Sequence, residues 1–302
     1  MLECPWAPTW MAWVYCLKEK RVVEIMGTVS LVFRDVARKS ARLFLPGPLF
    51  RAVAEWYNKR CCKQHVRDED YERFVSLLYG GVTTPDGSVV QVNIDRLQHP
   101  LYARSGTPDA VEIVHSVIRE AYGKYLPEGE VKFVVDAGAY IGDATAWYLS
   151  RFPASRVVAL EPNPESFAML QRNCAAYGSR ARTINGALWF QDGNLDLVFD
   201  PTTPTGNSVA HRESSGSNRC AAFSLQTILE ESGATEIDIL KVDIEGAELE
   251  LFSTDADPWL SRTRYITMEI HSDEAYAAVH AATKRHGFIG RRYRELFIFL
   301  RV

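Results

Sequence analysis

Apolar positions change their period along the chain in a way that separates strands from helices. Phe133, Val134 and Val135 form an unbroken apolar run, as a strand buried on both faces requires. The run ends in Asp136, and Gly138 and Gly142 then open a turn before Ala144 to Ser150, which reads as a helix. The pattern repeats at once. Arg156, Val157, Val158, Ala159 and Leu160 predict a strand leading into Glu161, and Pro162, Asn163 and Pro164 stop it. Glu165 to Cys174 then puts Phe167, Leu170 and Cys174 on one helical face. Ile237 to Phe252 predicts a further buried strand with a helix opening at Ala247, and Tyr265 to Ile270 predicts a last one. Alternating strands and helices from Val131 to Val302 predict an α/β fold built on a mostly parallel sheet.

The pattern ahead of this region is looser. From Thr28 to Trp56 the apolar spacing is helical but mixed, and Pro46, Gly47 and Pro48 interrupt it, predicting two short helices. The reading is an N-terminal helical arm or cap over 1–68 and a second domain over 69–302, with its core at 126–302. Pro85, Asp86 and Gly87 predict a hairpin turn beside Ser88 to Val92. Pro108 to Tyr122 predicts a helix whose buried stripe is Val111, Val114, Val117 and Ile118. Pro201 to Asn218 reads as a polar loop.

The glycine spacing narrows the chemistry. Dinucleotide-binding turns use G-x-G-x-x-G, whereas Gly138 and Gly142 give G-x-x-x-G, which disfavours a pyrophosphate cradle while keeping the strand, turn and helix order. That difference favours S-adenosylmethionine over NAD. Glu161 falls where such folds place a ribose-binding acid, roughly 20 residues past the turn, and each charge-assisted hydrogen bond it made would contribute about 1.5–3 kcal/mol. Lys241, Asp243 and Glu245 converge at the end of another strand, and Glu269 and His271 at the end of the next. Ligands of open α/β sheets bind beyond those ends, so Asp243 is expected near Gly138 and Glu161. The competing reading pairs Lys241 with Glu245 or Glu248 and leaves the cluster a purely structural turn.

Composition then excludes some classes. With 302 residues, 47% hydrophobic and 24% charged, the chain has the balance of a soluble globular protein. A net charge of −4 gives no general attraction to phosphate backbones, so no nucleic-acid partner is expected. Arg285, His286, Arg291, Arg292 and Arg294 concentrate positive charge, as either a solvated terminal hairpin or an anion site. Cys4, Cys16, Cys61, Cys62, Cys174 and Cys220 match neither a zinc spacing nor a disulfide framework, which suits a reducing cytoplasm. The apolar opening from Cys4 to Leu17 is too short to span a bilayer, which takes about 20 residues. Peripheral membrane contact by this segment stays open, as does initiation at Met26.

Five blocks, VVDAGAYIGDAT, ALEPNPESFAMLQRN, INGALW, ILKVDIEGAELELF and ITMEIH, resemble in order and spacing the FkbM family of S-adenosylmethionine-dependent methyltransferases. The likeness covers roughly Leu101 to His271. It implies a class I methyltransferase Rossmann-like fold, a seven-stranded sheet with a terminal antiparallel strand, and methyl transfer to a hydroxyl of a sugar, glycan or secondary metabolite. PLYARSGTPDAVEIV resembles the family's segment ahead of the first nucleotide-binding strand, with Arg104, Thr107 and Asp109 at its recurring positions. Tyr140 stands where the family often has asparagine, and residues up to Asn58 match nothing in it.

On this reading Gly138, Ala139, Tyr140 and Gly142 form the cofactor turn, Asp136 contacts the methionine ammonium directly or through that turn, and Glu161, Pro162 and Asn163 serve the ribose side. Asp243 is the first candidate to orient or deprotonate the acceptor, and His271 the second, because an imidazole titrates near neutral pH. Glu245 and Lys241 set the field around them. Arg104 holds a substrate carboxylate, or instead caps or pairs with Asp109. Trp147, Trp189 and Trp259 read as core. Asp243, Glu245 and Glu269 offer oxygens to a divalent cation, but no spacing demands a metal. The acceptor is a small molecule or glycan. The alternative is a non-catalytic S-adenosylmethionine-binding module that docks to a partner or membrane surface; an exocyclic-amine methyltransferase of nucleic acid and an NAD-dependent oxidoreductase rank below it.

Overall fold

A computed structural model describes residues 47–80, 87–199, 207–210 and 219–302. Of the two short helices expected over Thr28 to Trp56, the one ahead of Pro46 lies outside the described residues, as do Pro85 and Asp86, and the one after Pro48 falls within the helix Gly47–His65. The chain divides into two compact units, Met1–Tyr57 and Asn58–Val302, so the second unit begins inside the segment the sequence assigned to the arm. Among the described residues, no helix is long and apolar enough to cross a membrane.

Two helices, α1 (Gly47–His65) and α2 (Asp68–Tyr79), precede the antiparallel pair β1 (Val89–Val92) and β2 (Leu101–Arg104). β1 thus pairs with the strand that follows it. Helix α3 (Asp109–Ile113) passes directly into a π turn, Val114–Ile118. The units β3 (Phe133–Ala137), α4 (Asp143–Arg151), β4 (Arg156–Leu160), α5 (Pro164–Cys174) and β5 (Ala181–Ile184) follow. Next come β6 (Ala187–Leu188), β7 (Gly193–Phe199), β8 (Asn207–Ala210), β9 (Arg219–Phe223) and α6 (Leu225–Ser232). The chain then forms β10 (Ile239–Val242), α7 (Glu248–Ser253), α8 (Asp257–Leu260), β11 (Tyr265–Met268), α9 (Asp273–Arg285), β12 (Phe288–Tyr293) and β13 (Leu296–Arg301).

Seven strands form one sheet in the order β12-β13-β11-β10-β3-β4-β5. The five from β11 to β5 are parallel, and the C-terminal strand β13 runs antiparallel to them, as the resemblance implied, while the edge strand β12 pairs antiparallel with β13. Strand order reverses between β3 and β10, which opens a crevice at their carboxyl ends. Residues alternate across β3: Val134 packs with Ile113, Tyr148 and Tyr265 on one face, while Phe133 and Val135 pack with Leu225, Leu240 and Ile266 on the other. Leu170 and Cys174 are buried, with Phe167 packed against them, and Trp147, Trp189 and Trp259 are buried in the core.

Two readings need correction. Val111 is 52% exposed, because Ala110, Ile113, Val114 and Val117 already make the buried stripe, and about 100° per residue carries Val111 past its edge. A separate four-stranded sheet has the order β6-β9-β7-β8, and its strand β8 falls within Pro201 to Asn218, the stretch read as a polar loop. In particular, Asn207–Ala210 is a strand paired antiparallel with β7. Four residues flanked by threonine, glycine and serine carry too little alternation to announce a strand.

The basic terminal segment is largely engaged. His286 and Arg285 face Asp257 at 2.8 and 3.4 Å, and Arg291, Arg292 and Arg294 lie over the rings of Tyr125, Phe297 and Tyr293. This is the geometry of the solvated hairpin.

Candidate active site at the carboxyl edge of the sheet

The parallel register between β3 and β10 sets Lys241 directly beside Asp136. Both are buried, and Lys241 Nζ lies 3.1 Å from Asp136 Oδ1 while donating to the carbonyl of Gly138 at 2.8 Å. The other oxygen of Asp136 accepts from Thr145 Oγ1 at 2.5 Å. Lys241 therefore pairs with neither Glu245 nor Glu248. Burial works against its ammonium, but Asp136 and Asp243 more than offset this and raise its pKa.

The turn after β3 shows what its glycines are for. Gly138 has φ +73°, and a Cβ there would stand 1.7 Å from the carbonyl oxygen of Asp243. Bare backbone at this point lets the β3 turn and the segment after β10 meet. Gly142, also at positive φ, faces Leu170 instead, 2.6 Å from a virtual Cβ. It packs α4 against α5 and does not line the cavity, so its expected cofactor role is corrected to helix packing.

Tyr140 N donates to Glu161 Oε2 and Asn163 N to Glu161 Oε1, each at 2.8 Å. Burial nonetheless pushes the Glu161 carboxyl up to about 7. Asn163 caps α5 through its side chain, which fixes the Glu161–Pro162 corner without reaching the cavity. The Tyr140 hydroxyl donates to Asp109 Oδ1 at 2.7 Å. Arg104 completes this support: its Nε and Nη2 each reach Asp109 at 2.9 Å. The guanidinium thus takes the second of its two readings. It holds Asp109, and through Asp109 the turn residue Tyr140.

One cavity lies over these elements. Gly138, Ala139, Tyr140, Glu161 and Pro162 form one side, and Lys241, Asp243, Ile244 and Glu245 form another. Asp243 Oδ2 accepts from the buried hydroxyl of Tyr122 at 3.2 Å and lies 4.0 Å from Lys241 Nζ. Asp136 is wholly buried, and Lys241 joins it to the carbonyl of Gly138, so of its two expected routes to a ligand ammonium this geometry favours the one through the glycine turn over direct contact.

His271 does not line this cavity. Its Nδ1 lies 3.0 Å from the buried Glu248 Oε1 and its Nε2 lies 3.4 Å from Glu245 Oε2. The bond to Glu248 pushes the imidazole up to about 9, so at neutral pH the ring is a cation with no lone pair to accept a proton. Its candidacy as a base is corrected on that ground. Ligand atoms of Asp243, Glu269 and His271 lie within 4.8 Å of one another. Both nitrogens of His271 are committed to carboxylates, however, which makes this grouping an ion-pair network.

Sequence reading missed four contributors: Glu112 from α3, Tyr122, Asp143 at the start of α4, and the apolar wall at Leu188. Glu112 was legible as the lone acid in the apolar run Val111 to Val114. Burial, aided by neighbouring carboxylates, pushes Glu112 and Glu269 up to about 7. Burial likewise pushes Asp143 up to about 6. An acidic cavity beside bare glycine backbone and a buried ribose-height carboxylate suits S-adenosylmethionine, whose sulfonium and ammonium are both cationic.

Comparison with known proteins supports the same reading. The Methyltransferase FkbM domain matches residues 136–291. Methyltransferase 1 of Beauveria bassiana is 27% identical over 53% of this chain and 73% of its own length. Hexuronic acid methyltransferase AglP of Haloferax volcanii is 26% identical over 57% of this chain and 72% of its own. The 31-O-demethyl-FK506 methyltransferase FkbM of Streptomyces tacrolimicus is 26% identical over 55% of this chain and 75% of its own. With more than half its residues in that domain, the chain belongs to the FkbM family and is an S-adenosylmethionine-dependent methyltransferase.

Proposed function

We propose that this enzyme methylates a hydroxyl oxygen on a sugar, glycan or secondary metabolite. The observation that carries the reading is the row of carboxylates, Glu112, Asp243 and Glu269, lining the same cavity as the Gly138 turn. Bound S-adenosylmethionine supplies an electrophilic methyl carbon that needs little activation. The protein's own work is to align the acceptor and take its proton, and an alcohol needs that proton acceptor more than an amine does. Gly138, Ala139 and Tyr140 would carry the methionine side through backbone, and Glu161 would accept from the ribose hydroxyls. Asp243 would orient or deprotonate the acceptor, fixed by Tyr122 and Lys241, with Glu245 shaping the field. Two relatives named for a hexuronic acid and for 31-O-demethyl-FK506 support a hydroxylated acceptor.

The test is a panel of sugars, uronic acids and hydroxylated metabolites incubated with S-adenosylmethionine, with products identified by mass spectrometry. O-methyl products are expected, and Asp243→Asn should keep cofactor affinity while losing turnover. Products methylated only on nitrogen would sink the reading. Glu161→Ala should abolish calorimetric binding of S-adenosylhomocysteine.

A further inference from the structure

A second cavity adjoins the first. Glu112 and Glu269 line both, so these two carboxylates stand at the neck between them. The far side is walled by Leu78, Tyr79, Val111 and Val114, with Asn58 and Arg119 beside them. This explains why an apolar residue such as Val111 is left exposed on α3. It offers an acceptor an apolar bed that ends at two carboxylates.

Behind Glu112 lies His115, one helical turn on. Its Nδ1 is 3.9 Å from Glu112 Oε2 and its Nε2 is 3.1 Å from Glu295 Oε1. Glu295 sits in the turn between β12 and β13 with its side chain 49% exposed. His115 and Glu295 line the second cavity with Glu112, and Nε2 is buried without a hydrogen bond among the described residues, so the three groups form an electrostatic cluster; the ring of Tyr122 packs edge-on against the imidazole at 5.5 Å.

We propose that Glu112, at the neck between the two cavities, takes the proton of the acceptor hydroxyl. This rests on the hydroxyl reading given above. As the acceptor oxygen bonds to the methyl carbon, the carbon–sulfur pair stays on the departing sulfur and the O–H proton moves to the Glu112 carboxylate, from which it leaves to solvent. His115 acts only as a charge neighbour that sets the proton affinity of Glu112. Asp243 orients the acceptor in this scheme.

The charges around Glu112 tune it. Glu112 faces Asp143 from α4, Asp243 after β10, Glu269 after β11 and His115 on its own helix; burial and these acids push it up to about 7. Burial works against the His115 cation, and Glu295, Glu112 and Glu269 more than offset it, so its pKa is raised. The imidazole beside it holds Glu295 down at about 2. Proton affinity at the neck is therefore matched to neutral pH, where a general base is most effective.

Two measurements test the assignment of Glu112 as the base. The first is a carbon-13 carboxyl NMR titration of the full chain with S-adenosylhomocysteine bound, using Glu112→Gln to assign the Glu112 resonance. Glu112 should titrate near neutrality, and its midpoint should move in both His115→Gln and Glu295→Gln. A midpoint in the ordinary carboxylate range, or one blind to both substitutions, would overturn the proposal. The second is the pH–rate profile with an acceptor from the panel. Glu112→Gln should lower kcat by roughly 10²- to 10⁴-fold with S-adenosylhomocysteine affinity unchanged, and His115→Gln should move the rising limb of the profile. Full turnover by Glu112→Gln beside an inactive Asp243→Asn would assign the base to Asp243. No turnover of any hydroxylated acceptor by the wild type would defeat the hydroxyl reading, leaving the NMR titration to decide whether Glu112 is a base poised at neutrality.

Discussion

The ammonium of Lys241 donates to the carbonyl oxygen of Gly138 at 2.8 Å. That bond ties the charged end of β10 to the turn after β3, the two segments that meet at the point where strand order reverses. It also explains why an anion as deeply buried as Asp136 is tolerated in the middle of the sheet, since the same Lys241 ammonium is its ion-pair partner.

Removing that ammonium should be costly. Lys241→Met leaves Asp136 buried with Thr145 as its remaining partner, and breaking a buried pair in this way costs about 3–5 kcal/mol. Urea denaturation should show the loss. The double variant Lys241→Met with Asp136→Asn should recover most of it, because the stranded charge is then gone. A double variant no more stable than Lys241→Met would refute the pairing as the cause.

Glycine substitutions should separate contact from conformation. Gly138→Ala brings a Cβ to 1.7 Å from the Asp243 carbonyl at φ +73°, so the β3 turn and the Asp243 segment must part. Gly246→Ala is also strained, at φ +102°, but meets nothing within 4 Å. Calorimetry should show S-adenosylhomocysteine binding lost in Gly138→Ala and retained in Gly246→Ala. Equal losses would mean that backbone strain alone is responsible.

The sheet was legible because its strands are uninterrupted apolar runs ending in chemistry-bearing residues, as at Val134 to Asp136 and Ile239 to Asp243. The cavity floor followed from the same runs. What could not be read was anything set by register or by packing between distant segments. Nothing near Lys241 in the sequence says that Asp136 stands opposite, because parallel register joins residues about a hundred positions apart. His271 was misjudged for the same reason: its reference behaviour is that of a free imidazole, and Glu248 changes it only in the fold. Arg104 and Asp109, five residues apart, were close enough for the pairing to be weighed from sequence.

That pair should govern acid stability. Burial works to raise the Asp109 carboxyl, and the bonds from Arg104 and Tyr140 more than reverse it, so its folded pKa lies below the ordinary value. A depressed carboxylate contributes stability that is present above its unfolded pKa and lost as pH falls through the folded one. Arg104→Gln should therefore lose several kcal/mol near neutral pH, about 3–5 for a buried pair, and its stability should fall less steeply below pH about 4 than that of the wild type. Tyr140→Phe, which removes the hydroxyl's bond to Asp109 and its longer one from Arg104, should cost less, about 1.5–3 kcal/mol. Thermal melts across the acid range check both.

His271 predicts the opposite slope. Its folded pKa is raised from 6.5 to about 9 by Glu248. The stability it adds is complete below pH 6.5 and is lost as pH rises through about 9. Wild-type melting temperature should decline across that window, and His271→Gln should flatten the decline. An unchanged slope would mean that the ion pair with Glu248 contributes nothing measurable in solution.

The acidic cavity should make cofactor discrimination depend on pH. Glu112, Glu161 and Glu269 are pushed up to about 7 and Asp143 to about 6, each chiefly by burial. Between pH 6 and 8 the cavity therefore gains negative charge, and in a site of low polarity each added charge matters more than it would in water. S-adenosylmethionine carries a sulfonium that S-adenosylhomocysteine lacks, while their ammonium and carboxylate groups are the same. The ratio of their affinities should thus rise severalfold across this range in favour of the sulfonium. Linkage adds a second sign: a cation lowers the pKa of the carboxylates it approaches, so binding S-adenosylmethionine at pH 7 should release more protons than binding S-adenosylhomocysteine. Calorimetry in buffers of different ionisation enthalpy reads both quantities. A flat affinity ratio with equal proton release would place the sulfonium away from these carboxylates.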